Sequence, residues 1–198
     1  ITDLRIPQTE REETIEISFQ LFDTIEVHSL DHINNGYIEA QTREWGEIAD
    51  MRLSDLDANY PKSQNTHLHI MEPYTNLLRC LNEMETKGMS VDQNRKQQVA
   101  DALRNIICIF TDRILNPDTH HLDLFFENDW TRCAGWLESY GHDIECSWLM
   151  HEAAMVLADK DILKKVEPIV VLVAKASEKG LNSDGSMTHE ANLDTGHV

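Results

Sequence analysis

Apolar residues recur along this chain at helical spacing far more often than they alternate. Over residues 10–28, Ile15, Phe19 and Phe22 form one stripe and Ile17, Leu21 and Ile25 a second. That wide apolar arc predicts a helix buried on more than one side. A turn-rich connection follows at 31–36, and 37–42 alternates weakly enough to suggest a short strand. A polar loop over 50–63 is long enough to suspect a function. The second helix is expected from Ser63 or Asn65 to about 85, with Leu68, Met71, Leu77, Leu78 and Leu81 inward. Pro73 interrupts it near its start. It cannot donate to the His69 carbonyl and its ring crowds that oxygen, which predicts a kink or a distorted first turn.

Ser90 and Gln93 read as a capping box for a third helix. Val99, Leu103, Ile106, Ile107, Phe110 and Ile114 give that helix a strong apolar stripe, and Asn116-Pro117 ends it. Residues 121–126 suggest another short strand. A loop with Trp130 and Trp136 leads to a fourth helix over 143–157, marked by Ile144, Trp148 and Met155. A fifth helix is expected over 160–179, with Pro168 inside it and Gly180 as its C-cap. The polar tail from 181 has no core pattern of its own. There is no βαβ rhythm and no Gly-rich phosphate loop. Paired helices with functional loops at one end predict an all-α fold of the α/α toroid or solenoid kind.

Charge narrows the partners. The 198 residues carry 17 Lys and Arg against 35 Asp and Glu, a formal net charge of −18. Such a surface repels phosphate backbones and anionic lipid, so neither nucleic acid nor a membrane is the expected partner. A neutral substrate fits better than a strongly anionic one. No apolar run approaches the roughly 20 residues of a membrane helix, and no secretory leader is recognisable. Cys80, Cys108, Cys133 and Cys146 form no CxxC pair. Thiols so spaced fit a reducing, cytoplasmic setting.

Two constellations carry candidate chemistry. His142 and Glu145 lie three apart at a helix entrance, so imidazole and carboxylate project from one face. They suit an acid/base centre, but spacing alone favours the plainer reading, a helix start with a hydrogen-bonded histidine and acidic residues favoured by the dipole. Asn65 and His69 lie four apart and place an amide and an imidazole on one face of the second helix. His67 and His69 diverge on a helix and chelate poorly; with no HExxH motif, no metal is expected. Trp130 and Trp136 suit stacking on a sugar ring or anchoring a loop in the core.

The segments SYGHDIECSWLMHEAA (139–154), LFFENDW (124–130) and MRLSDLDANYPKSQNTHLHIMEPYTNLLR (51–79) resemble the cellobiose 2-epimerases of the N-acylglucosamine 2-epimerase superfamily. The resemblance runs through most of the chain. It implies an (α/α)6 barrel, which needs roughly twice this length, so residues 1–198 are expected to be one incomplete middle portion of such a domain. The implied activity is interconversion of glucose and mannose at the reducing end of β-1,4-linked disaccharides such as cellobiose. Proton abstraction at C2 gives a cis-enediol, which is reprotonated on its other face. Carried over, His142 and His69 match catalytic histidines, and Asn65, Glu145, Asp57 and Trp130 match substrate-side positions. The resemblance implies no metal or nucleotide cofactor, an oligosaccharide as the partner molecule, and a monomer or weak homodimer. N-acylglucosamine 2-epimerase and aldose–ketose isomerase chemistry are the nearby alternatives. An inactive fragment or a non-catalytic carbohydrate-binding helical protein is the alternative of another class. Pro73 departs from the family pattern, where a small residue is usual.

Overall fold

The structure is a computed structural model and describes residues 1–55, 57–133 and 137–192. Five helices dominate it: α1 (Gln8–His28), α2 (Gln64–Thr86), α3 (Gln93–Ile109), α4 (Tyr140–Leu157) and α5 (Lys160–Ser177). A π-helical turn, Phe110–Ile114, extends α3. Two small antiparallel ribbons join distant parts of the chain. Strand β1 (Lys62–Ser63) pairs with β2 (Phe125–Phe126), and β3 (Leu137–Ser139) pairs with β4 (Glu190–Asn192).

The apolar stripes of α2 and α3 find each other. Leu68, Met71, Leu78, Leu81, Val99, Leu103, Ile106 and Ile107 are all buried, and α4 completes the core with Cys146, Leu149, Met150 and Ala153. The α5 helix packs on α4 through Val166, Val170 and Val173. Polar ties fix the remaining elements. On α1, Glu26 Oε1 accepts from the hydroxyls of Tyr37 (2.8 Å) and Tyr74 (2.7 Å), which links the first helix to the second. Lys62 is fully buried, and its ammonium donates to Asp31 Oδ2 at 2.8 Å and to the Asn128 carbonyl. That ion pair holds Asp31 well below the usual carboxylate range, against the opposing effect of burial.

Several expectations are corrected. Of the α1 residues only Phe22 is buried; Ile17, Leu21 and Val27 are exposed, because no described element lies over their side of the helix. The Ile144, Trp148 and Met155 stripe of α4 is likewise exposed, and the buried stripe is the one running through Cys146 and Leu149. Residues 37–42 form no strand; Tyr37 makes a single bridge to Leu30. The cap of α3 is Asp92, whose carboxylate accepts from Asn94 N (2.9 Å) and Arg95 N (3.1 Å), so Ser90 stands two residues too early. Gly180 closes a 3-10 turn, Glu178–Gly180, with no left-handed cap: a Cβ there would lie 2.5 Å from the Tyr140 ring. Pro73 lies well inside a continuous α2, exposed to solvent on its outer side, and not in the first turn. The tail contributes β4 and buries Ala191.

His67 shows how firmly the start of α2 is locked. It is fully buried, its Nδ1 lies 2.7 Å from the Ser63 carbonyl, and its Nε2 accepts from Tyr37 N at 3.0 Å. That pattern requires a neutral ring with its proton on Nδ1. Burial lowers its pKa to about 4, from an ordinary 6.5. The folded state therefore binds fewer protons than the unfolded state between those two values, so acidification through that window destabilises the fold. Applied to that displacement, linkage gives about 3 kcal/mol lost by pH 4. Urea denaturation should show the deficit of His67→Gln relative to the parent shrinking as pH falls from 7 to 4. A deficit constant with pH would contradict the buried neutral histidine.

Candidate active site

His142 sits in the first turn of α4, directly after β3. The residue before this helix, Ser139, makes no cap with its side chain; its hydroxyl lies 2.8 Å from His142 Nδ1. This fixes the ring and leaves Nε2 without a hydrogen bond from any described residue. Burial lowers the His142 pKa; His189 and His69 reinforce the shift, while Glu145 and Glu190 oppose it. The ring is thus neutral at neutral pH, the form that accepts a proton.

The cleft that His142 lines has a volume of about 520 Å³ counting its open mouth. Asn65, Gln64 and Ser63 from the start of α2 line it, with Asp57, Glu39, Phe125 and Glu190. Asp57 is held by Ser54, whose backbone N and Oγ donate to Oδ2 at 2.8 and 2.9 Å. Glu39 Oε2 accepts from the hydroxyls of Ser63 and Thr66, the latter at 2.6 Å. Burial raises its pKa, with Asp57 adding and the two hydroxyls opposing. A wider, mainly apolar groove lies against α1, lined by Leu21, Phe22, Tyr74 and Leu77. The smaller cleft, with its converging polar groups, is the candidate site.

The other expected residues fall as follows. His69 is exposed and 3.3 Å from Glu72 Oε2; it does not line the cleft, although its charge is felt at both His142 and Glu39. Glu145 is half-buried and acts on His142 through its charge, outside the cleft lining. Trp130 is corrected: its indole is buried between Phe126 and His67, its Nε1 donates to the Asn34 carbonyl at 2.9 Å, and Lys62 Nζ lies 4.9 Å from the ring centroid. It anchors loops in the core and presents no face to the cleft. Trp136 lies outside the described residues. Among the described residues no three His, Cys, Asp or Glu side chains converge as metal ligands.

Sequence reasoning missed Glu39, Gln64, His189 and Glu190. Spacing along the chain carries no sign of them. Glu39 reaches the cleft from an irregular segment hung on Pro61 by a 2.8 Å backbone bond. His189 and Glu190 arrive through the β3–β4 pairing. The His189 ring lies 5.5 Å from that of His142, centroid to centroid, and its carbonyl accepts from Gly141 N at 3.1 Å.

Fold and cleft together define a part of a helical-hairpin barrel with a histidine at the mouth of its helices. No family model matches the chain. Individual proteins do. It is 51% identical over 186 residues to a cellobiose 2-epimerase of Bacteroides fragilis, covering 94% of this chain and 44% of that protein. It is 32% identical over 178 residues to a cellobiose 2-epimerase of Ruminococcus albus, covering 90% and 42%. Among solved structures, the cellobiose 2-epimerase of Bacillus thermoamylovorans B4167 matches with a TM-score of 0.79 at 32% identity, over 93% of this chain and 44% of that one. A sugar epimerase from a ruminal bacterium matches with a TM-score of 0.78 at 30% identity. The chain therefore spans less than half the length of these relatives. In sequence and fold it is similar to cellobiose 2-epimerases, and its helices form part of their (α/α)6 barrel.

Gly141 makes the junction with β4 possible, since a Cβ there would lie 2.4 Å from His189 Nδ1. Gly141→Ala should push His189 away and loosen the β3–β4 ribbon. Amide exchange at 190–192 is expected to accelerate at least about tenfold, the equivalent of ~1.4 kcal/mol of local stability, with α2 unaffected. Unchanged protection in that ribbon would show that the contact does not hold it.

Proposed function

We propose that this chain supplies the His142 side of the active site of a sugar 2-epimerase acting on the reducing end of β-1,4-linked disaccharides such as cellobiose. The observation that carries the proposal is a half-buried, neutral His142 opening on a cleft of amide and carboxylate groups, in a chain similar to cellobiose 2-epimerases along nearly its whole length. In the open-chain sugar the C2 proton is acidified by the neighbouring aldehyde. His142 Nε2 takes that proton, and the electrons of the C2–H bond form the C1=C2 bond of a cis-enediol as the carbonyl oxygen gains a proton. A second acid/base on the other side of the sugar delivers a proton to the opposite face of C2 while the enediol hydroxyl at C1 gives up its proton and the aldehyde reforms, which converts glucose to mannose; His142 then releases its proton to solvent.

In this reading His69, at the edge of the site, assists ring opening. Asn65 and Asp57 hydrogen-bond sugar hydroxyls from the cleft wall, and Glu145 stabilises the imidazolium that His142 becomes. The chemistry requires no metal or nucleotide. The acidic surface suits a neutral sugar, and among the described residues no helix is long and apolar enough to cross a membrane. A cytoplasmic protein, monomeric or weakly dimeric, whose residues 1–198 are part of one barrel domain, completes the proposal.

Incubating the complete polypeptide with cellobiose in heavy water tests it. Deuterium should appear at C2 together with a mannose reducing end. His142→Ala should slow both by at least about a hundredfold, the usual weight of a general base. Absence of exchange on cellobiose and on other aldoses would overturn the proposal, and a retained rate in the variant would overturn the assignment of His142.

A further inference from the structure

The cleft wall opposite the histidine chemistry contains two polar groups that the epimerisation steps do not use. Glu39 Oε2 is saturated by two hydroxyls, Ser63 Oγ and Thr66 Oγ1. Both donors rise from the start of α2, so the carboxylate is fixed in orientation while Oε1 has no hydrogen bond from any described residue. Gln64 is 3% exposed, lines the same cleft, and its Oε1 is buried without a partner. An orphaned buried acceptor is costly, and at the lining of a cleft a ligand hydroxyl is a donor that would meet it. Ser63 and Gln64 are adjacent, and Gln64 N donates to the Leu124 carbonyl at 2.9 Å. The backbone carrying both groups is therefore held by the β1–β2 ribbon.

We propose that Glu39 and Gln64 form a hydroxyl-binding subsite, with Glu39 Oε1 and the Gln64 amide engaging hydroxyls of a pyranose. A carboxylate beside an amide is suited to this ligand. The carboxylate accepts from one hydroxyl in a charge-assisted bond, and the amide both donates and accepts with another. Neither group fits an anionic ligand, because Glu39, Asp57 and Glu190 together would repel it. Ser63 and Thr66 position the carboxylate; Glu39 and Gln64 touch the sugar. The identity of that sugar as the reducing-end unit of a β-1,4 disaccharide rests on the epimerase reading above, but the subsite itself does not.

The test uses the complete polypeptide with cellobiose as probe, and reads Kd by calorimetry beside KM and kcat. Glu39→Gln and Gln64→Leu should each raise Kd and KM about tenfold or more, the loss expected for a hydrogen bond to a charged group or for an unmet amide. Their kcat should change less than about threefold. Thr66→Val, which leaves Glu39 in place but frees it, should give a smaller rise in the same direction. A purely structural role for Glu39 would lower thermal stability and leave Kd and KM alone, and that result in both principal variants overturns the subsite. If the parent binds cellobiose in a Glu39-dependent manner but converts no aldose, the epimerase reading fails and the subsite stands. If the parent converts cellobiose and both variants keep its KM, the subsite fails and the epimerase reading stands. A parent that neither binds nor converts the sugar overturns both.

Discussion

The carboxylate of Asp143 ties the two halves of the cleft together. It is 1% exposed and follows His142 directly, in the first turn of α4, where the helix dipole favours negative charge. One oxygen lies 2.5 Å from His121 Nδ1, and the other accepts from Leu122 N at 2.9 Å. The pair docks the segment ahead of β2 onto the entrance of α4. That segment then runs into β2, β2 pairs with β1, and β1 leads into Ser63, Gln64 and Asn65 at the start of α2. A continuous line of backbone and buried polar contacts thus joins His142 to the opposite wall. Removing one partner of a buried hydrogen bond leaves the other unsatisfied, which generally costs about 1–3 kcal/mol. Here the distance between base and binding groups depends on the same contact.

Glu138 and Tyr140 reinforce this entrance. Tyr140 donates to Glu138 Oε2 at 3.1 Å, and Glu138 Oε1 lies 3.5 Å from His121 Nε2. Three parts of the chain, β3, the α4 entrance and the segment after the π-helical turn, therefore share one polar knot beside His142. Ser139 acts within it: with its hydroxyl oxygen accepting from His142 Nδ1–H, the helix N-terminus is left uncapped by a side chain, and the ring gains a fixed orientation with Nε2 as its acceptor. The site charges follow from this arrangement. Burial disfavours protonation of His142, and two acidic neighbours limit how far the shift goes.

Periodicity carried the helices because their cores are local. The α3 stripe from Val99 to Ile114 is buried as its spacing predicts. It failed where a stripe meets nothing in this chain, as with Ile17 and Leu21, and where two residues compete for one role, as with Ser90 and Asp92. The Asn65 and His69 spacing was legible, but a helix face is about a turn wide. The cleft takes Asn65 at the entrance and leaves His69 outside. Trp130 was ambiguous in sequence because an indole serves core and sugar equally, and the buried Lys62–Asp31 pair beside it decides for the core. Glu39, His189 and Glu190 were illegible because irregular chain and long-range strand pairing bring them to His142.

Epimerisation through His142 requires the imidazole to be a neutral base at working pH. Titrating its imidazole by nitrogen-15 NMR in the complete polypeptide measures this directly. The expected pKa lies below the ordinary histidine value of about 6.5, rising in Ser139 or Asp143 variants only if the ring leaves its half-buried position. A pKa at or above the ordinary value, with the ring protonated near neutral pH, would contradict it.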